Sequence, residues 1–413
     1  MRLFLTTVLL LFISESLEAH SHPNVILVLS SDVPRDELGS YGTDTQTPNL
    51  ARLQKQGTRY QIAWAMPTFH LSQRALLSGK YPTTGNSPTE ASTSILVEPE
   101  KTRSPDITVA TILRKTGYLT LAAGKWATDD LTPVQESLIA NGFDQHCILE
   151  SSLRNQKGPQ TIVVNGRERS VENAGKAINA FLIDFLSTPF DKPFFLYYPM
   201  LSPRPVTLDD ETHQQSTSPI SRAGDVDQFL GDLLDSLEES GQTENTLLVF
   251  TSIHGLATKT TSPPAKDLAD RNPATNSKVL VPFIVQAPFL SEGGHVTRDL
   301  IDFTDLAPTI LELTSNTNLD NHQLDGRTFV PSLKGVEDPF EKRNWIYARA
   351  GNVHMIRDWQ HFLDSDGNFH DLIKDPFQRE SVSPLDKQAP GRKQRLELIL
   401  QRLESKLTIP NSK

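Results

Sequence analysis

The chain has 413 residues, more than one ordinary domain core needs and enough for a large core with a smaller appendage. Its formal net charge is -10, and no Lys/Arg run or basic-aromatic interleaving occurs, which argues against a nucleic-acid surface. The single cysteine, Cys147, excludes an internal disulfide; with nothing nearby to lower its pKa it reads as a small buried residue rather than a reactive thiol.

Taken in order, the chain opens on Arg2, an apolar stretch from Leu3 to Ile13 and a polar run to Ala19. This predicts a secretory signal over residues 1–19 and an exported protein, with the cut site left open because Leu17 is a poor residue three before it. The stretch is short for a membrane span and no other segment reaches its length, so no transmembrane segment is expected. Val25-Ile26-Leu27-Val28-Leu29 is a continuous apolar, β-branched run, hence a buried parallel strand, ending abruptly in Ser30-Ser31-Asp32. Pro48 to Gly57 predicts a short helix, Thr58–Ala65 a strand, and the segment after Pro67 a helix carrying Ala75, Leu76 and Leu77, stopped by Gly79 and Pro82.

Thr108–Gly117 predicts an amphipathic helix closed by glycine, and Tyr118–Ala123 a strand that delivers Lys125 to its end. Helical faces follow over Val171–Phe185 and Val226–Leu237, strands over Pro193–Tyr198, Asn245–Ser252 and Val281–Val285, and a helix over Asp305–Thr314. This alternation predicts an α/β fold, a large mostly parallel sheet sandwiched by helices. Pro203–Asp225 and Thr258–Ser277 read as long polar loops on the side where strands end, the usual place for ligands in such sheets. After Gly335 short runs such as Trp345-Ile346-Tyr347, the turn Asp364-Ser365-Asp366-Gly367 and a helix over Arg392–Leu407 predict a small antiparallel subdomain. The expected division is 1–19 signal, 20–335 α/β domain and 336–413 subdomain.

Several segments carry a resemblance. Leu38-Gly39-Ser40-Tyr41-Gly42, Thr47-Pro48-Asn49-Leu50, Leu76-Leu77-Ser78-Gly79-Lys80-Tyr81-Pro82, Gly124-Lys125-Trp126, Lys192-Pro193-Phe194-Phe195 and Thr251-Ser252-Ile253-His254-Gly255 occur in this order. Order and spacing are similar to those of the sulfatases of the alkaline phosphatase superfamily, and the chain resembles a degenerate arylsulfatase- or iduronate-sulfatase-like member from about Asn24 to near Asp375. The resemblance implies that Phe69 stands where the family places the cysteine that becomes formylglycine, and Gln73 where it places an arginine. Ser31 stands for the first metal-binding aspartate, Ala127 and Arg204 for two histidines, and Ile253 for the strand-end aspartate. Asp32, Lys125 and His254 keep the family's residue or its register.

Sulfate ester hydrolysis needs a nucleophile, a cation for the anionic oxygens and a general acid. Phe69 offers no nucleophile; Thr68 and Ser72 are the nearest hydroxyls, and both suit helix capping or turn hydrogen bonding better. Calcium, the metal that the resemblance implies, takes roughly six to eight oxygen ligands, whereas Asp32 and His254 supply one carboxylate and one imidazole, with Ser31, Asp36 and Glu37 as compensation. Lys125 at a strand end can meet an anion as a point charge, and Arg204 is its companion. The expectation is an exported pseudoenzyme whose cleft takes a sulfated carbohydrate or another anionic small molecule. An active ester hydrolase using Thr68 or Ser72, and a purely partner-binding protein, remain the alternatives.

Overall fold

A strand as apolar as Val25 to Leu29 must be covered on both faces, and in the computed structural model it lies inside a large sheet. The structure describes residues 22–31, 33–42, 46–82, 107–127, 132–150, 159–201, 219–256, 275–315, 322–337, 339–350, 352–382 and 389–407. The predicted signal over 1–19, Asp32, Arg204 and most of the two predicted loops lie outside these residues. Among the described residues the large sheet contains β1 (Asn24–Ser30), β2 (Thr58–Trp64), β3 (Leu119–Gly124), β4 (Gln145–Leu149), β5 (Gln160–Val164), β6 (Arg167–Val171), β7 (Phe194–Pro199), β8 (Thr246–Ser252), β9 (Phe283–Gln286) and β10 (His295–Asp302). Their spatial order is β10-β2-β9-β8-β1-β7-β3-β4-β5-β6. The run β8-β1-β7-β3-β4 is parallel throughout, as is β10 with β2, while β9 opposes both its neighbours and β5 opposes β4 and β6.

Alternation along the central strands feeds two cores. Val25, Leu27 and Leu29 join Phe195, Tyr197, Leu247 and Val249 on one face. Ile26 and Val28 join Phe194, Leu196, Tyr198, Leu248 and Phe250 on the other. The helices Phe69–Ser78, Val109–Lys115, Leu306–Thr314 and Ala389–Leu407 cover the first face. Pro48–Gln56, Ala174–Leu186 and Pro219–Glu239 cover the second. The Val109–Lys115 helix starts on a Thr108 cap and is followed by Gly117 at φ 97°, as its sequence implies. Among the described residues no helix is long and apolar enough to cross a membrane.

The structure departs from the sequence reading in several places, among them β4, β10 and the helix Val134–Ala140, none of which was expected. The β5–β6 hairpin was not foreseen, because β6 is exposed almost throughout and carries no buried alternation. The helix predicted from Val226 begins at Pro219, so the end of the expected 203–225 loop is helical. The helix expected from Val171 starts at Ala174, because Val171 still pairs with Gln160 in the hairpin and Asn173 caps the helix by accepting from the Lys176 N–H. Beyond Gly335, β11 (Ile346–Ala350), β12 (Val353–Arg357), β13 (His361–Asp364) and β14 (Phe369–Asp371) form an antiparallel sheet in that order. Tyr347, Phe362 and Leu396 from this region share the first core with Trp64 and Tyr81.

A buried polar network joins that region to the large sheet. Asp302 and Asp305 are fully buried at the end of β10, and Arg343 reaches Asp305 with its Nε 2.7 Å from both carboxylate oxygens. Its Nη1 lies 3.6 Å from Asp302, which also accepts from the Tyr81 hydroxyl at 2.6 Å. Removing one partner of such a buried group strands the others, at about 3–5 kcal/mol. Arg343→Met is therefore expected to lower unfolding stability by that amount in urea titrations. Adding Asp302→Asn and Asp305→Asn should recover part of the loss, and an Arg343→Met protein as stable as the parent would refute the assignment.

Candidate functional site

Three wall segments meet where the parallel strands end. The first is the end of β1 and β8. Ser30 and Ser252 face each other in register and share a hydroxyl hydrogen bond of 2.6 Å. Ser31 is buried and its Oγ has no hydrogen-bond partner among the described residues. The Ile253 N–H donates to the Ser30 carbonyl at 3.0 Å while its side chain is fully buried in the apolar core. His254 is half-buried, with Nδ1 3.1 Å from the Gly255 carbonyl oxygen.

The second wall is the helix Phe69–Ser78. Thr68 is its N-cap: extended, with its hydroxyl oxygen 3.5 Å from the Leu71 N–H it accepts. Ser72 is fully buried; its hydroxyl donates to the Met66 carbonyl at 3.0 Å and accepts the Met66 N–H at 3.1 Å. Both hydroxyls thus serve backbone geometry. Gln73, also buried, makes a reciprocal pair with Ala127: its Nε2 donates to the Ala127 carbonyl at 3.0 Å, and the Ala127 N–H donates to its Oε1 at 3.2 Å.

The third wall is the end of β3. Gly124 has φ 87°, and a Cβ there would lie 2.0 Å from the Pro199 carbonyl oxygen, so only glycine lets β3 pass β7 this closely. The next N–H, of Lys125, donates to that same carbonyl at 2.9 Å. Trp126 is fixed by its indole N–H to the Ser137 hydroxyl at 3.1 Å and by edge contacts with Phe143 and Tyr197. Lys125 places its Nζ 4.6 Å from the centroid of the Phe69 ring. A phenyl ring therefore lies under an ammonium, and the Gln73–Ala127 pair straps two walls together.

The structure brings Thr68, Ser72, Phe69, Gln73 and Lys125 to one place, with Ser31, Ile253 and His254 at the neighbouring strand ends. Asp32 and Arg204 lie outside the described residues. Of the compensating carboxylates, Glu37 has its pKa raised by burial against an opposing pull from Arg222. Among the described residues Ser31 offers one neutral oxygen, Ile253 is a core side chain and no three His, Cys, Asp or Glu converge, while calcium takes roughly six to eight oxygens. Cys147 is buried on β4, and burial pushes its thiol up to about 12, in keeping with an inert residue. What the sequence reading missed is the strap. Gln73 was readable only as a substitution, and its partner is backbone.

Comparison with known proteins agrees with this fold. A family model described as Sulfatase matches residues 23–316. An ulvan-active sulfatase of Formosa agariphila is 23% identical over 351 residues, which cover 81% of this chain and 62% of that protein. Arylsulfatase A of Homo sapiens is 26% identical, with 91% of this chain and 82% of that protein covered. Among solved structures, Ps i-CgsB in complex with k-i-k-neocarrahexaose superposes with a TM-score of 0.73 at 21% identity, covering 94% of both chains. The chain spans less than two thirds of the length of the Formosa relative.

Gln73→Met would keep the side-chain volume and leave the Ala127 N–H and carbonyl unpaired. The expected loss is about 1–3 kcal/mol, read from urea unfolding. A variant of unchanged stability would mean that water or a neighbouring group takes over and that the strap holds nothing.

Proposed function

This chain belongs to the sulfatase family, and on that premise we propose that it is an exported pseudoenzyme that binds sulfated glycans in the strand-end cleft without hydrolysing them. The observation that carries this reading is the Phe69 ring beneath the Lys125 ammonium. A phenyl ring has no lone pair to attack sulfur, and it occupies the position where the family resemblance calls for the nucleophile. Thr68 and Ser72 are the hydroxyls nearest Phe69 in sequence, and neither has among its hydrogen bonds a base that would remove its proton.

Recognition makes smaller demands. Lys125 would meet a sulfate oxygen as a point charge, Arg204 would add a second cation from the following loop, and His254 a hydrogen-bonding imidazole. The contact of Lys125 with Phe69 is of a kind worth about 0.5–1 kcal/mol at exposed sites. The names of the relatives point to the ligand class, since one is an ulvan-active sulfatase and Ps i-CgsB is in complex with a carrahexaose. The predicted signal over residues 1–19 supports export, where such polysaccharides are met.

Two measurements on the purified protein test this. With 4-nitrophenyl sulfate as substrate, no release above buffer is expected with or without added calcium; turnover in the parent that Thr68→Ala or Ser72→Ala abolishes would overturn the pseudoenzyme reading. Calorimetry with a sulfated disaccharide should give binding that Lys125→Ala weakens roughly tenfold, about 1.4 kcal/mol. Equal affinity for the variant would remove Lys125 from the site.

A further inference from the structure

Three arginines gather beside the strand-end cleft of a chain whose overall charge is negative. Arg35 lies in the one-turn helix Arg35–Glu37 that follows β1, Arg59 on β2 and Arg357 at the end of β12. The register puts Arg59 near the level of the strand ends: its neighbour Tyr60 pairs with Phe283, Phe283 with Thr251, and Thr251 with Leu29. Tyr41 organises the pair, with the Arg35 guanidinium 4.4 Å and the Arg59 guanidinium 5.2 Å from its ring centroid. The tyrosine is itself pinned, since its hydroxyl donates to the Phe283 carbonyl at 3.0 Å and accepts the Phe283 N–H at 2.7 Å.

These charges are poorly matched by their surroundings. Arg35 Nη2 donates to the Gln61 carbonyl at 3.2 Å. Arg357 is buried and gives its donors to three neutral oxygens, the Asp358 carbonyl, Asn276 Oδ1 and the Trp359 carbonyl. Among the described residues none of the three makes a hydrogen bond or ion pair with a carboxylate group. The carboxylates within electrostatic reach are Asp36 for Arg35 and Asp358 for Arg357. The Nε–H donors of Arg35 and Arg59 are shielded from solvent and unpartnered, and an unmade hydrogen bond from a buried charged donor is expensive. Burial lowers the pKa of Arg35, with Arg59 adding to it; burial and then Arg35 bring Arg357 down to about 10 against the pull of Asp358. Like charges packed beside the strand ends, with guanidinium donors unpartnered and no described carboxylate hydrogen-bonded to them, fit an arrangement completed by an incoming anion.

We propose that Arg35 and Arg59 form a second oxyanion site, which takes a sulfate or carboxylate group borne by an acidic polysaccharide at a sugar other than the one at Lys125, with Arg357 adding positive potential from beneath. The polysaccharide part rests on the cleft reading given above; the oxyanion site itself does not. Guanidinium groups suit this ligand because planar paired donors match two oxygens of sulfate or carboxylate.

The test is a titration of the full-length protein, labelled with nitrogen-15 in arginine, followed through the side-chain Nε–H resonances. Sodium sulfate and sodium glucuronate are the titrants, sodium chloride at equal ionic strength the control, and Arg35→Lys and Arg59→Lys assign the signals. The Arg35 and Arg59 resonances should move and saturate together with one oxyanion or both, with a common Kd that rises about fivefold or more in either variant and stays unchanged in Lys125→Ala. Movement with sulfate alone would identify a sulfated ligand, and movement with glucuronate alone a uronate. Resonances that stay still, or that follow chloride equally, overturn the proposal whatever happens at Lys125. A sulfate response lost in Lys125→Ala would overturn it too, since it would assign the effect to the first site.

Discussion

Burial of β1 on both faces is the constraint on which the rest depends. A strand between two parallel neighbours, with a core above and a core below, can be built only from apolar residues, and Val25 to Leu29 are all buried. Polar chemistry is thereby confined to the carboxyl end of the strand, where the chain leaves the sheet. Stability and chemistry are thus separated along a few residues of one segment. The interior of β1, β7 and β8 holds the fold, and the residues just past their ends need only avoid disturbing it. A fold so arranged can lose its strand-end charges without penalty. Buried charges in a catalytic cleft work against stability, and replacing them by apolar groups of fitting shape is neutral or stabilising. Ile253, fully buried just past the end of β8, is an apolar residue of this kind.

The substitutions in the walls also suit one another. Gln73 carries both a donor and an acceptor, so it can satisfy the carbonyl and the N–H of Ala127 together. An arginine there could serve only the carbonyl, because a guanidinium has no acceptor. Ala127, in turn, brings no side chain of its own that would need a partner. Phe69 gives the Lys125 ammonium a ring face where a charged or reactive group would otherwise be needed. Neutral hydrogen bonds and one cation–ring contact thus hold these walls together.

The large sheet was legible because its central strands are continuous apolar runs, and its helices because capping residues and glycines bracket amphipathic periods. The Thr108 cap and Gly117 at φ 97° are as the sequence implies. The β5–β6 hairpin escaped because Arg167 to Ser170 are all exposed. Its one local sign was Asn165-Gly166, both at positive φ (48° and 80°), the dipeptide that favours tight hairpin turns. In the candidate site, the identities that depart from the family pattern were readable from motif positions. Their contacts were not, because they join distant segments: Gln73 and Ala127 are 54 residues apart and meet through the Gln73 amide and the Ala127 backbone. Arg35 and Arg59 carried no sequence mark either, since their shared partner is the Tyr41 ring.

Magnitudes separate the two roles such a cleft can play. Rate enhancements of enzymes correspond to about 8–23 kcal/mol of transition-state stabilisation, and that demands a nucleophile, charge compensation and proton transfer held in register. The described residues supply an ammonium, an imidazole and the Ser30, Ser31 and Ser252 hydroxyls, with the Thr68 and Ser72 hydroxyls already committed to backbone groups. Binding at millimolar to micromolar strength requires only about 4–8 kcal/mol, and hydrogen bonds to charged groups contribute about 1.5–3 kcal/mol each. A few such contacts reach that range without any covalent step. Holding an anion therefore sets looser geometric demands on such strand ends than breaking its ester bond, and a fold can meet the first without meeting the second.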